Sequence, residues 1–317
     1  MQRINSPIEV QVTPQVTATT FHTVKLRVTA NATDCPDVSI TLSAQVVTPG
    51  AAIIFDISSV LRAAADAYTF TPDNLSIPDV AYASEWWEEY LDSGELIKTD
   101  AASVASGTAL FGGYTDYERI TNTQPTTHTR KPLTSIETVA VGDTFIAPLP
   151  SAGAPRASAA TPITEGGIQQ VNGHTLYAVP QNRNRHQFRF INGLGAMESV
   201  SIECYADESV TYNTEQFQQT RPDYMGGISH TRIEKSLDIE QWKFSTGPLT
   251  RDWRHWYAHE FLMAKHVWLQ APSLEGRDGV GSWLPVLIIP EETTPLINRV
   301  ATDLPSIDFT VKMNFNG

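Results

Sequence analysis

The sequence has few basic residues, and this shortage limits its partners. It contains 22 Lys and Arg against 35 Asp and Glu, a formal net charge of −13. Such an excess of acidic groups repels phosphate backbones and anionic lipid headgroups. No basic cluster is longer than Arg130-Lys131. We therefore expect no nucleic-acid partner.

Long hydrophobic runs are also missing. The longest, residues 283–289 (WLPVLII), is far shorter than the roughly 20 residues that a membrane-spanning helix needs. The first residues, MQRINSPIEVQV, have no apolar segment of the kind found in signal peptides. We expect no membrane insertion, and synthesis in the cytoplasm without a signal peptide.

The chain has two cysteines, Cys35 and Cys204, far apart in sequence. The spacing allows a disulfide but nothing in the sequence supports one. Two buried free thiols are favoured, since a buried Cys commonly behaves as a small apolar residue.

Catalytic signatures are absent as well. The sequence contains no GxSxG, no GxxxxGK[ST] and no Rossmann glycine pattern. Gly193 and Gly195 lack a third glycine, and Asp34, Asp37 and Asp56 do not have the spacing of a calcium loop. We predict no catalytic residue, no metal site and no cofactor, and thus a protein that is not an enzyme.

What the sequence does have is strand periodicity. Val24, Leu26 and Val28 alternate with Lys25 and Arg27, which puts apolar side chains on one face of a strand. Similar alternation recurs in residues 38–46 and 307–313. The predicted fold is mainly β, with two β-sandwich-like domains.

We predict three regions along the chain. Residues 1–120 form an N-terminal β domain, and residues 176–317 form a C-terminal β domain. Between them, residues 121–175 are rich in Thr, Pro, Ala, Ser and Gly and read as a long polar excursion or linker with one short strand at 144–149.

A hairpin and a helix organise the predicted C-terminal domain. Residues 188–205, FRFINGLGAMESVSIECY, alternate on both sides of a turn built on Asn192, Gly193 and Gly195. The one helix predicted there spans about residues 250–266, with Thr250 as its N-cap, and packs on the C-terminal domain.

Two groups of side chains are candidates for chemistry. Trp86, Trp87 and Tyr90 lie among Glu residues and could bind a glycan by stacking, although an exposed acidic strand with one Trp packed inward explains them as well. His255 and His259 have the spacing of helical zinc ligands, but no third ligand is evident, so structural or surface histidines are favoured.

Three stretches together resemble a known group. They are IIFDISSVLRAA, ALFGGYTDYERI, and the 188–205 hairpin followed downstream by WLPVLIIP and a last alternating strand. In that order they resemble tail or baseplate (tail-tip) structural proteins of phages and prophages of Bacteroidetes. Residues 121–175 fit no such pattern.

The resemblance implies a non-enzymatic virion component. It implies a β-sandwich subunit that repeats around the tail axis as a homo-oligomeric ring and contacts other virion tail proteins, joining the tail to its tip or fibres. The expected location is the virion tail, after synthesis in the host cytoplasm. The alternative is a carbohydrate- or receptor-binding β-sandwich module that uses Trp86, Trp87 and Tyr90.

Overall fold

The computed structural model describes residues 3–16, 21–48, 50–121, 128–149, 156–182, 184–204, 207–220, 229–270, 283–291 and 305–313. Within these ranges the fold is mainly β, which confirms the predicted fold class.

An antiparallel sheet of five strands forms most of the N-terminal part. The strand order is β3-β2-β6-β7, and β8 pairs with β6 next to β7. Its strands are β2 His22–Ala32, β3 Val38–Gln45, β6 Val80–Asp92, β7 Glu95–Lys98 and β8 Ala102–Ala109. The predicted alternation is confirmed, since Val24, Leu26 and Val28 are fully buried while Arg27 is exposed.

Smaller elements cover the apolar face of this sheet. Helix α1 (Ser58–Asp66) packs across β2, β3 and β6, and its first turn receives the Asp56 carboxylate, which accepts a hydrogen bond from the Ser58 amide at 2.9 Å. Strands β1 (Glu9–Val12) and β4 (Ile53–Asp56) pair with each other. A second short helix, α2, spans Asp116–Ile120.

The segment predicted as a polar excursion has more structure than expected. Besides the predicted short strand it holds further strands, and several of their residues bury a small core of their own. The strands are β9 Glu137–Ala140, β10 Thr144–Pro148, β11 Arg156–Pro162, β12 Gly167–Val171 and β13 His174–Val179. Strands β9, β11 and β12 were not predicted, because they are short and rich in small residues. Strand β13 was predicted over residues 176–179, but local alternation does not reveal its parallel pairing with β9.

The C-terminal part is an antiparallel sheet of seven strands in the order β15-β14-β18-β19-β20-β17-β16. The predicted hairpin is confirmed as β14 and β15. The strands are β14 Arg185–Ile191, β15 Met197–Glu203, β16 Asp207–Thr220, β17 Ser229–Ser245, β18 Val267–Gln270, β19 Trp283–Pro290 and β20 Asp308–Met313. A two-residue strand, β5 (Ser76–Ile77), pairs with β11.

The predicted helix at about 250–266 packs on this sheet but is shorter and changes type. Helix α3 spans Arg251–Trp256 and continues as a π-helix, Tyr257–Phe261. Thr250 takes the N-cap position, but its side chain makes no capping hydrogen bond. The wider π turn lets consecutive residues Glu260 and Phe261 both be buried, the carboxylate against the hairpin turn and the ring against Phe188.

The hairpin β14–β15 contacts several other parts of the fold. One of its faces joins the C-terminal aromatic core through Phe188 and Phe190. Ile191 and Met197, next to its turn, belong to the N-terminal core cluster. Ser199 and Met197 also bond to β10 and β11, through the Ile146 amide and the Ser158 hydroxyl, at 2.8 and 2.7 Å. The hairpin therefore contacts all three regions of the chain.

Candidate functional site

The candidate glycan-binding residues lie on β6, but they do not form one exposed platform. Trp86 points to the core face opposite Leu26 and packs against the N-terminal cluster, while Trp87 lies on the other face of the strand. Trp87 is only 8% exposed, with the Lys98 ammonium 4.2 Å from its ring centroid and its indole N–H donating to Glu89 at 2.9 Å. Tyr90 makes an edge contact with the ring of His22. Glycan binding at these residues stays a prediction.

The acidic residues next to these aromatics already have partners. Glu88 is 1% exposed, and its carboxylate accepts bonds from the amides of Gln15 and Val16 while contacting the His22 ring at 2.5 Å. Glu85 and Glu89 pair with Arg27 and Lys25 on the outer face. Glu88 therefore anchors the chain entering β2, and this stretch has a structural explanation.

The two helical histidines do come together. The rings of His255 and His259 stack with their centroids 5.9 Å apart, whereas His266 packs against Phe70 instead. No three His, Cys, Asp or Glu side chains in the described part of the chain converge to hold a metal ion. Both cysteines are free thiols, as predicted, but each is half-buried and not buried as expected.

A close backbone contact joins residues 109–120 to the 188–205 hairpin. The turn of the hairpin, residues 192–196, lies directly on the segment around Gly112. A Cβ placed on Gly112 would lie 2.4 Å from the Leu194 carbonyl carbon, and one on Gly195 would lie 2.5 Å from Phe111 backbone atoms. The Gly113 amide donates to the Gly193 carbonyl at 2.8 Å. Both crowded glycines also have positive φ. A residue with a side chain would therefore be strained in its backbone and would collide with the neighbouring backbone.

Buried ion pairs surround this turn. Glu260 accepts a hydrogen bond from the Gly193 amide at 2.7 Å and pairs with Arg130, which also binds both carboxylate oxygens of Glu118. Arg3, 2% exposed, donates to the carbonyls of Phe111 and Leu194. The sequence patterns did not point to Arg3, and they placed Glu260 only in the predicted helix after His259. The basic dipeptide at 130–131 was noted only as a charge cluster.

A second buried group lies beneath it. The Lys131 ammonium is fully buried, contacts the Glu137 carboxylate at 2.7 Å and donates to the Ser199 carbonyl at 2.8 Å. Glu198 is also fully buried, and burial raises its pKa to about 7 although Lys131 lies near. Burial likewise lowers the pKa of His174 to about 4. These groups tie residues 128–140 to the hairpin, so they hold the middle region against the C-terminal part.

A long two-stranded arm leaves the C-terminal sheet. Strands β16 and β17 pair along their whole length, but β17 contacts β20 only through residues 241–245. A register shift between Thr211 and Tyr212 leaves Asp238 as an extra residue, a β-bulge at the point where the arm begins. We define the arm as residues 212–220 paired with 229–237.

The arm is paired only with itself within the described ranges. Its nine residue pairs span about 30 Å at roughly 3.4 Å per residue. Both of its outer edges lack a strand partner in the described part of the chain. Sequence reasoning expected strands in residues 229–244, but local alternation does not reveal that they leave the sheet.

Two edges of the five-stranded sheet are open as well. Among the described strands, β3 pairs only with β2 and β8 pairs only with β6, although Arg3 bridges Leu110 just beyond the end of β8 and β1 lies near β8. Neither strand contains a charged residue or a proline. Natural sheets usually protect long edges with charges, prolines or covering elements. These open edges and the arm are surfaces at which another chain could pair.

Comparison of the chain with protein-family models, with curated proteins and with solved structures finds no match. Among the helices in the described ranges, none has the length and apolar character that crossing a bilayer requires.

Proposed function

We propose that this chain is a non-enzymatic structural protein of a phage virion. In this proposal it is a tail or baseplate component that assembles with copies of itself as a symmetric ring and connects the tail to its tip or fibres. The arm is the observation that supports assembly most directly.

The physical argument starts from the stability of the arm. A two-stranded ribbon without further strands or a packed face is marginally stable in water. The arm extends nine pairs beyond the bulge without another strand beside it in the described ranges. Its free edges are suited to strand pairing with a neighbouring chain. A partner subunit would supply the packing surface that the chain itself does not provide there.

Two further observations support the proposal. Residues 109–120 and 188–205, which carry part of the resemblance to tail proteins, contact each other through their backbones at Gly112 and Gly195. These stretches therefore maintain the fold, as expected in a family that works by shape. The alternative, a carbohydrate- or receptor-binding module, is less well supported because Trp86 packs inward and Trp87 is covered by Lys98.

The test is the mass of the purified full-length protein, measured by light scattering and paired with negative-stain imaging. We expect a ring with a defined number of subunits. A variant in which residues 213–236 are replaced by Asn-Gly keeps the base of the arm and removes the rest. We expect this variant to assemble less completely than the wild type. Its individual subunit should unfold at the same temperature as a wild-type subunit, because the deleted residues lie outside the C-terminal sheet.

Two outcomes would contradict the proposal. A wild-type protein that stays monomeric at milligram-per-millilitre concentration has no self-assembled ring. An arm-shortened variant that forms the same ring as the wild type would remove the arm from the argument. Mass spectrometry of purified phage particles separately tests the virion location.

A further inference from the structure

We propose that copies of this chain join head to tail, with the open edge of β3 in one copy paired antiparallel to the open edge of β8 in the next. This inference rests on the proposed ring and names the contact that closes it. The partner is a second copy of the same chain.

Strand direction supports this arrangement. From β3 through β2 and β6 to β8, each strand is antiparallel to its neighbour, so the directions alternate up, down, up, down. A copy related by rotation about an axis along the strands places its upward β3 beside the downward β8 of the first copy. The antiparallel ladder then continues across the interface. Such a contact uses two different surfaces, and it closes into a ring when the rotation divides a full turn.

The two edges also match in length and in the positions of their side chains. Each strand has eight residues, and full antiparallel overlap puts Thr41 opposite Ser106 and Ser39 opposite Thr108. All four side chains are exposed on the outer face of the sheet. The match covers residues 38–42 and 105–109, because a bulge between Ser84 and Glu85 in the β6–β8 pairing shifts β8 beyond that point.

The core face gives an independent indication. Ile40 lies opposite the fully buried Val28, yet it is 38% exposed because no strand lies beyond it in the described ranges. In the overlapped register Ile40 faces Gly107, which carries no side chain and sits against the Tyr82 ring. The Tyr82 ring fills the space beside Gly107, so in the neighbouring copy this ring would pack against Ile40.

Disulfide trapping tests the contact. Thr41→Cys and Ser106→Cys are placed in separate chains, each in a Cys35→Ser, Cys204→Ser background, and mixed under mild oxidation. Directly opposed residues on antiparallel strands have Cβ atoms close enough for a disulfide. We expect a covalent dimer from the mixture and none from either variant alone. Thr29→Cys mixed with Ser106→Cys is the matched control, because Thr29 lies one strand further in and should not cross-link.

A charge exchange tests the same contact without oxidation. Lysine at both positions, Thr41→Lys with Ser106→Lys, should weaken assembly, whereas Thr41→Lys with Ser106→Glu should retain it. Opposed like charges destabilise a strand pair and opposite charges stabilise it, so we expect subunit dissociation constants that differ on the order of tenfold.

The outcomes separate this inference from the proposed function. If the wild type forms a ring but the mixture of Thr41→Cys and Ser106→Cys chains gives no covalent dimer, the edge contact is overturned and the ring remains. A dimer from Thr41→Cys alone also overturns the edge contact, since that product requires two β3 edges to meet. A wild-type monomer, together with a mixture that gives no cross-linked product, overturns both proposals.

Discussion

Replacing Gly112 with alanine should destabilise the protein far more than the same change at Gly173. The two glycines have nearly identical backbone angles, φ +81° and +82°. They differ in surroundings, because a Cβ on Gly173 meets nothing within 4 Å whereas one on Gly112 meets the backbone of the hairpin turn. The pair therefore separates backbone strain from crowding.

The expected magnitudes follow from this geometry. Alanine at positive φ costs about 1–2 kcal/mol, and that is the whole expected effect of Gly173→Ala. At Gly112 the added Cβ would lie 2.4 Å from the Leu194 carbonyl carbon, well inside the roughly 3.5–4.0 Å of a normal contact. Backbone atoms cannot rotate away, so the turn must move. We add about 1–3 kcal/mol for overpacking and about 1 kcal/mol for weakening the bond between Gly113 and Gly193.

Gly112→Ala should thus lower the free energy of unfolding by about 3–6 kcal/mol, against about 1–2 kcal/mol for Gly173→Ala. Urea unfolding followed by tryptophan fluorescence at pH 7 measures both variants beside the wild type. If the two losses agree within about 0.5 kcal/mol, the hairpin turn does not press on Gly112 and the reasoning is wrong.

Two further predictions concern the buried charges beneath the hairpin. Lys131→Met leaves the Glu137 carboxylate without its cation, which should cost about 3–5 kcal/mol at pH 8. Burial raises the pKa of Glu137, so the loss should shrink as the pH falls and the carboxyl takes up a proton. Urea unfolding at pH 8 and pH 5 checks this, and an equal loss at the two pH values would count against it. The folded-state pKa of Glu198 is about 7, against 4.5 for a free carboxyl. Between these values the folded protein binds more protons than the unfolded chain, so the free energy of unfolding falls as the pH rises. The stabilisation by Glu198 is therefore complete below pH 4.5 and is lost as the pH rises towards 7. Glu198→Gln should remove this dependence, up to about 1.4 kcal/mol per pH unit, and a variant with the wild-type slope would refute it.

Several features followed from the sequence alone. The mainly β fold, the strand faces around Leu26 and the hairpin at 188–205 depend on local alternation and on turn glycines, and the structure confirms them. Free thiols at Cys35 and Cys204 were also expected. The strand faces and the hairpin are set by neighbours a few residues away, so a pattern in the sequence can reveal them.

Other features depended on the tertiary structure. The parallel pairing of β13 with β9, the π turn that buries Glu260 beside Phe261, and the crowding at Gly112 all arise from contacts between distant parts of the chain. The same holds for the edges of β3 and β8, because a strand looks alike in sequence whether or not another strand lies beside it. Periodicity determines which face of a strand is buried, but only the packed chain decides which backbone edges remain open for a partner.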